Sequence, residues 1–295
     1  MLHLVLEGGG MRAGFVAGAI MALMDKRLID FDVALAVSAS VPTLAYFVTG
    51  QRKEIEQVWR HELNTSKLVC YRNIPAAPFT LSGKRPVLNI DYLVYEVFKK
   101  RYPLDLNALL NNRTLCYFAV TSLPEVSLKL FRPGDADIYK IFNACLAVPG
   151  CYPTTVPIGE REYLDGGTLN PLPVQSVLDQ TKDEVVAILS KPLDCETNPP
   201  SFLERALFWR YLKSYDWMID RLWDAAHLYN EEVFFLEMLS QKRPARAFII
   251  CPDNIPPAKF LTRDWKKINR TIDLGYRKVE ELEEGIRDFV THRQA

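Results

Sequence analysis

The 295-residue chain reads as a three-layer α/β/α protein with a mainly parallel central sheet and a helical C-terminal part. Three observations predict this. The first fifty residues alternate apolar runs with Ala-, Met- and Leu-rich runs in the order β–α–β–α, which favours parallel strands covered by helices. Apolar runs at 114–121, 184–190 and 245–251 have the length and continuity of strands buried on both faces. From about residue 202 onward the pattern is largely helical.

Leu2–Leu6 stops at a glycine cluster, as a buried strand does before a tight turn. Residues 14–27 (GFVAGAIMALMDKR) form a helix against it, 32–37 a second strand and 42–48 a second helix. The stretch 63–88 holds Pro75, Pro78, Gly83 and Pro86 and is expected to be a long surface loop. Strands follow at 114–121 (TLCYFAVT), at 126–131 (alternating, hence antiparallel), at 184–190 (EVVAILS) and at 245–251 (ARAFIIC). A proline-rich segment around 191–201 separates a core, residues 1–195, from an aromatic-rich helical extension, residues 196–295. Because 245–251 again reads as a core strand, the extension is expected to pack on the core as one structural unit. Phe202, Phe208, Trp209, Tyr211, Tyr215, Trp217, Trp223, Tyr229, Phe234 and Phe235 crowd 202–239, and a charged helix starts near Trp265.

Thirty-six basic residues balance thirty-six acidic ones, which argues against a general attraction to nucleic acid. Six scattered cysteines with no C-x-x-C pair argue against structural zinc and against a disulfide scaffold. Reduced thiols of a cytoplasmic protein are the expectation. The opening MLHLVLEGGG lacks a basic region, and Glu7 interrupts its apolar run, so it does not read as a secretory signal. The longest apolar stretch, 33–48, is too short to span a bilayer and contains two serines and a proline.

Three constellations carry chemistry. Gly8-Gly9-Gly10-Met11-Arg12 follows a strand and opens a helix. Consecutive glycines let the backbone approach a bound group, and the free N–H groups of the helix start favour negative charge. Such a loop suits a phosphate, the oxyanion of a tetrahedral acyl intermediate, or a purely structural turn; Gly8-x-Gly10-x-x-Ala13 also fits a permissive dinucleotide loop. Ala36-Val37-Ser38-Ala39-Ser40 places a serine between strand and helix, as in a nucleophile elbow, although the usual flanking glycines are replaced by Ala36 and Ser40; a helix cap is the alternative. Asp165 ends a short apolar strand and precedes Gly166 and Gly167. A carboxylate there can take a serine's proton, or D-G-G can be an ordinary turn.

Together these residues resemble the patatin-like phospholipase family. A G-G-G-x-R loop, an elbow serine and a Pro-rich block leading into D-G-G occur in that order, the block being 144–157 (ACLAVPGCYPTTVP) before Tyr163-Leu164-Asp165-Gly166-Gly167. Asn170–Pro173, His227–Asn230, 249–252 and Asp273–Tyr276 are similar to a bacterial subgroup with a helical C-terminal extension. The resemblance implies a lipid acyl hydrolase with Ser38 as nucleophile, Asp165 as base and an oxyanion hole at Gly8, Gly9, Gly10, Met11 and Arg12, supported by Gly166 and Gly167. It implies no metal and no cofactor, with a lipid or acyl ester as partner. The oligomeric state stays open. Two rival readings accompany it: a triad completed by His227, and a non-catalytic binding protein of the same fold with a degraded elbow. The aromatic extension either packs as helices, forms a lid, or makes peripheral contact with a membrane.

Overall fold

The computed structural model describes residues 1–28, 30–74, 86–178, 182–197 and 217–291, without the side chains of 217–223. Among the described residues, eight strands form one sheet. At its centre β1 (Leu2–Leu6) lies between β2 (Val33–Val37) and β7 (Glu184–Ile188). Beyond β2 comes β3 (Leu115–Leu123), and beyond β7 comes β8 (Ala247–Ile250). These five strands are parallel. β4 (Ser127–Phe131), β5 (Val156–Ile158) and β6 (Arg161–Asp165) add antiparallel pairings. All five residues of β1 and of β2 are buried, which is why those runs are continuously apolar rather than alternating.

The helices are α1 (Gly14–Asp25), α2 (Ser40–Val48), α3 (Arg52–Gln57, prolonged by a wider winding over Val58–Glu62), α4 (Tyr92–Arg101), α5 (Leu106–Leu110), α6 (Ile138–Leu146), α7 (Trp217–Ser240), α8 (Trp265–Glu281) and α9 (Glu283–Thr291). Among the described residues no helix is long and apolar enough to cross a membrane. α1 is buried from Gly14 to Leu23, a helix apolar all round because it lies inside the protein. Its outer cover is α8, which buries Ile268, Thr271, Ile272, Gly275 and Val279 along one face and begins at an Asp264 cap accepting the amides of Lys266 and Lys267. The two helices touch backbone to backbone. A Cβ on Gly18 would lie 1.9 Å from the Ile272 carbonyl oxygen, and one on Gly275 would lie 1.9 Å from that of Phe15. The C-terminal helix Glu283–Thr291 adds Ile286 to the same apolar core as Leu2 and Leu4.

The stretch 63–88 departs from the surface loop expected of it. Leu63, Leu68, Val69 and Val87 are buried, Val69 bridges to Leu88, and the Cys70 amide donates to Val87. Prolines and glycines kept it out of regular structure, yet its apolar residues wall a pocket. Residues 75–85 lie outside the described residues, as do 198–216, so the expectation for Phe202, Phe208, Trp209, Tyr211 and Tyr215 lies there too.

β3 brings Ser38 and Asp165 together. It pairs with β2 over 115–119 and with β6 over 120–123, while β4 occupies 118–122. Because β4 overlaps both, β2 and β6 must share the opposite edge of β3. β6 therefore takes over that edge where β2 leaves it, and the end of β6, Asp165, meets the residue after β2, Ser38.

Substituting Gly275→Ala should lower the unfolding free energy by about 3 kcal/mol, since the helices must separate to admit a methyl group. Urea unfolding measures this, and a change below about 0.5 kcal/mol would contradict the close crossing.

Candidate active site

The site gathers at the C-terminal ends of the parallel strands, where the strand order departs in both directions from β1. Ser38 directly follows β2 with φ +55°, a left-handed conformation that non-glycine residues adopt only when their surroundings impose it. Its surroundings do. Ser40 donates its hydroxyl to the Glu7 carbonyl at 2.6 Å, tying the elbow to the end of β1. Ala36 is fully buried within β2, opposite Leu6 and Phe118, a position where a methyl group fits. The elbow thus forms with alanine and serine in the glycine positions.

The Ser38 hydroxyl donates to Asp165 Oδ2 at 2.7 Å. The other carboxylate oxygen accepts the Gly167 amide at 2.7 Å, and Thr121 Oγ1 donates to the Asp165 carbonyl at 2.9 Å. Both neighbouring glycines are required by space. A Cβ on Gly166 would fall 2.6 Å from the Ala119 backbone, and one on Gly8 would fall 2.9 Å from Ser38 Cβ. Burial raises the Asp165 carboxyl to about 7, against the hydrogen bonds from Ser38 and Gly167, which pull it down. It therefore changes charge near neutrality.

The glycine loop differs from expectation in which amides it leaves free. Met11 N–H donates to the Phe260 carbonyl, Gly8 N–H to Pro171, and Arg12 N–H to Gly9. Among the described residues the Gly9 and Gly10 amides have no such acceptor, so Met11, Gly8 and Arg12 drop out as backbone donors to an oxyanion. Gly10 has φ +57°, and a Cβ there would overlap Phe260 at 2.5 Å; the loop's shape depends on a residue without a side chain.

Two cavities meet at Ser38. One is apolar, running between α2, α3 and α4 and lined by residues such as Pro42, Trp59, Leu93 and Phe98. The other is a wider cleft of about 590 Å³, lined by Glu7, Arg12, Asp165, Thr168, Lys191 and Thr197 among others. Its charged groups were not anticipated. The buried Glu7 carboxylate accepts the Ser190 amide at 2.5 Å, and burial raises its pKa against the pull of Lys191 and Arg12. Lys191, first residue of the proline-rich segment around 191–201, lines the cleft with its ammonium 3.6 Å from the Tyr229 ring centroid. Burial lowers its pKa, opposed by Glu7. A strand-end position beside β1 was the one signal for Ser190 and Lys191. Cys151 also lines the cleft, but burial, reinforced by Asp165, pushes its thiol up to about 11, so it stays protonated beside Ser38 at neutral pH. His227 is exposed on α7 and lines neither cavity, so the triad it would complete is not assembled. Among the described residues no three His, Cys, Asp or Glu side chains converge as a metal site.

The site thus consists of a glycine loop after the first strand, a serine elbow after the second and a carboxylate brought to that serine. The chain belongs to the patatin-like phospholipase family, whose family model matches residues 4–178, a span that contains all three features. Over 204 residues, 68% of this chain, it is 26% identical to the uncharacterized protein YjjU of Escherichia coli (strain K12). The match covers 55% of that protein, so the chain spans about half the length of this curated relative. Its fold is similar to that of VipD from Legionella pneumophila, with TM-score 0.54 and 14% identity over 96% of this chain and 66% of that one. A weaker likeness, TM-score 0.49 at 12% identity, is to human GIVD cytosolic phospholipase A2 in complex with methyl gamma-linolenyl fluorophosphonate, over 99% of this chain and 60% of that one.

A carboxyl with a raised pKa binds a proton in the folded state that it releases in the unfolded one. Its contribution to stability is complete below about pH 4 and declines until the folded pKa near 7. Asp165→Asn lacks that decline. The variant's stability advantage over the parent should widen by about 1.4 kcal/mol per pH unit between pH 4 and 7, then level off. Urea unfolding at pH 5, 6, 7 and 8 checks this, and a pH-independent difference would contradict the buried carboxyl.

Proposed function

We propose that the protein hydrolyses carboxylic esters of lipids, with Ser38 as nucleophile and Asp165 as its base. One observation carries this reading: a serine in a strained elbow, hydrogen-bonded at 2.7 Å to a buried carboxylate, at the junction of an apolar cavity and a polar cleft. As Ser38 Oγ attacks the ester carbonyl carbon, its proton passes to Asp165. The carbonyl oxygen becomes an oxyanion, and the Gly9 and Gly10 amides are the loop donors left free to receive it. The N-terminus of α2 behind Ser38 adds favourable potential. Collapse of the tetrahedral intermediate expels the alcohol, which takes the proton from Asp165. Water then gives its proton to Asp165 and attacks the acyl–Ser38 ester; as the second tetrahedral intermediate collapses, the proton passes from Asp165 back to Ser38 Oγ and the carboxylic acid is released. The apolar cavity suits the acyl group. The cleft with Arg12 and Lys191 suits the alcohol half, including a phosphate-bearing one.

Family membership supports the lipid ester as substrate class. The dyad needs no third residue, because Asp165, with its pKa near 7, is matched to proton transfer at neutral pH. The helical extension and the core share one apolar cluster, in keeping with a single catalytic unit.

The parent should hydrolyse p-nitrophenyl butyrate, while Ser38→Ala and Asp165→Asn should each lose activity by about a thousandfold or more. For the parent, kcat/KM should rise with pH and reach half its plateau near pH 7, since only ionised Asp165 accepts the proton. Equal rates for the three folded proteins, or a rate that falls through pH 7, would overturn the assignment.

A further inference from the structure

Two segments that border the Ser38 cavity differ from the rest of the chain in charge. Leu68, from residues 65–74, and Phe260, from residues 258–267, both line that cavity. Together the segments hold Lys67, Arg72, Lys259, Arg263, Lys266 and Lys267 against one acid, Asp264, in a chain of zero formal net charge. Asp264 caps α8, accepting the Lys266 and Lys267 amides. Among the described residues none of the six cations is in an ion pair, and all but Arg263 are exposed.

The same two segments expose large apolar side chains: Trp265 is 55% exposed, Ile74 44% and Tyr71 41%. They are also tied to one another. The Tyr71 hydroxyl donates to the Leu261 carbonyl at 2.7 Å. Arg263 packs 4.8 Å from the Tyr71 ring centroid and donates to the Val69 carbonyl at 3.2 Å. Beneath, Thr271 Oγ1 accepts the Ala258 amide at 3.0 Å, and the Phe260 carbonyl accepts the Met11 amide of the glycine loop at 3.1 Å. A fixed strap therefore presents these side chains beside the catalytic elbow. Exposed tryptophan and tyrosine among lysines and arginines is the composition that settles at a bilayer interface. α7 also exposes Leu228, Phe234 and Met238, but Glu231 and Glu237 stand among them, which anionic lipid repels.

We infer that residues 65–74 and 258–267 form a docking surface for an anionic membrane, with Trp265, Tyr71 and Ile74 entering the interface and the lysines and arginines meeting lipid phosphates and carboxylates. The surface needs both components. Each basic residue near an anionic leaflet strengthens binding about fivefold, an attraction that salt screens, and the exposed rings add a part that salt does not remove. Nucleic acid would meet the cations but gives Ile74 no apolar phase to enter. Docked by this strap, the protein holds the opening at Phe260, which borders both cavities, against the lipid. The docking surface is separate from the ester chemistry and does not depend on it.

The test is co-sedimentation of the full chain with phosphatidylcholine vesicles, with and without about one-third phosphatidylserine. The parent should bind the anionic vesicles about tenfold or more tightly than the neutral ones, and lose most of that preference in about 0.5 M salt. The triple variant Lys259→Gln, Lys266→Gln, Lys267→Gln should bind them about a hundredfold more weakly, and Trp265→Ala about tenfold more weakly. These side chains are exposed, and thermal melting by circular dichroism checks that each variant folds. Phe234→Ala on α7 should bind like the parent. A parent that ignores vesicles, or binds both kinds equally, overturns the inference. So does weaker binding by Phe234→Ala with none lost in Trp265→Ala, which moves the contact to α7. Tighter retention of an oligonucleotide than of anionic vesicles overturns it in favour of nucleic acid. The readout involves no turnover, so each of these failures leaves the hydrolase reading standing, and loss of esterase activity leaves the docking surface standing.

Discussion

The hydrogen bond between Ser38 and Asp165 depends on two strands sharing one edge of β3. β2 occupies that edge to Ala119 and β6 takes it from Val120, so the turn that ends β2 and the end of β6 must meet. Much of the surrounding sequence serves this junction. Gly166 lets β6 leave against the Ala119 backbone, and Gly8 leaves room for Ser38 Cβ. Ser40 ties the elbow to β1, and Thr121 fixes the Asp165 backbone. None of these residues needs to touch a substrate, yet each bears on where the serine oxygen lies.

The junction is destabilising in itself. A non-glycine residue at φ +55° costs on the order of 1–2 kcal/mol. A carboxyl held in the interior with a pKa near 7 resists the ionisation that the proposed proton transfer requires. Glu7, just behind the glycine loop, carries a second burial penalty, moderated by the Ser190 amide and by Lys191. Such groups persist because the rest of the core over-determines their positions. β1, β2, β7 and α1 are almost wholly apolar and buried, and α8 clamps α1 at backbone contact.

The core of the fold was legible because doubly buried strands leave an unbroken apolar signature: β1, β2, β7 and β8 fall within runs that the sequence marks, and β3 overlaps the run 114–121 and extends two residues beyond it, to Leu123. β4 announced itself by alternation. The helices Arg52–Gln57, Tyr92–Arg101 and Ile138–Leu146 did not: the first is short with Ile55 its one buried residue, the second is widely wound, and the third is buried nearly all round, so none shows a clean helical period. Even so, Asp137, capping Ile138–Leu146 with bonds to the Tyr139 and Lys140 amides, was a readable start signal. At the site, Ser38 and Asp165 were found through motif order, since the elbow lacks both glycines. Which loop amides stay free was not legible, because Phe260, 249 residues after Met11, comes from a loop with no local pattern. Lys191 was hidden for a related reason: prolines beyond it made a strand end look like a linker.

Reaction with a fluorophosphonate probe, followed by peptide mapping at pH 8, tests the central claim most directly. The account predicts a single adduct on Ser38 in the parent, formed about a hundredfold or more slowly in Asp165→Asn. An adduct on another residue, or equal labelling of Ser38 in both proteins, would contradict it.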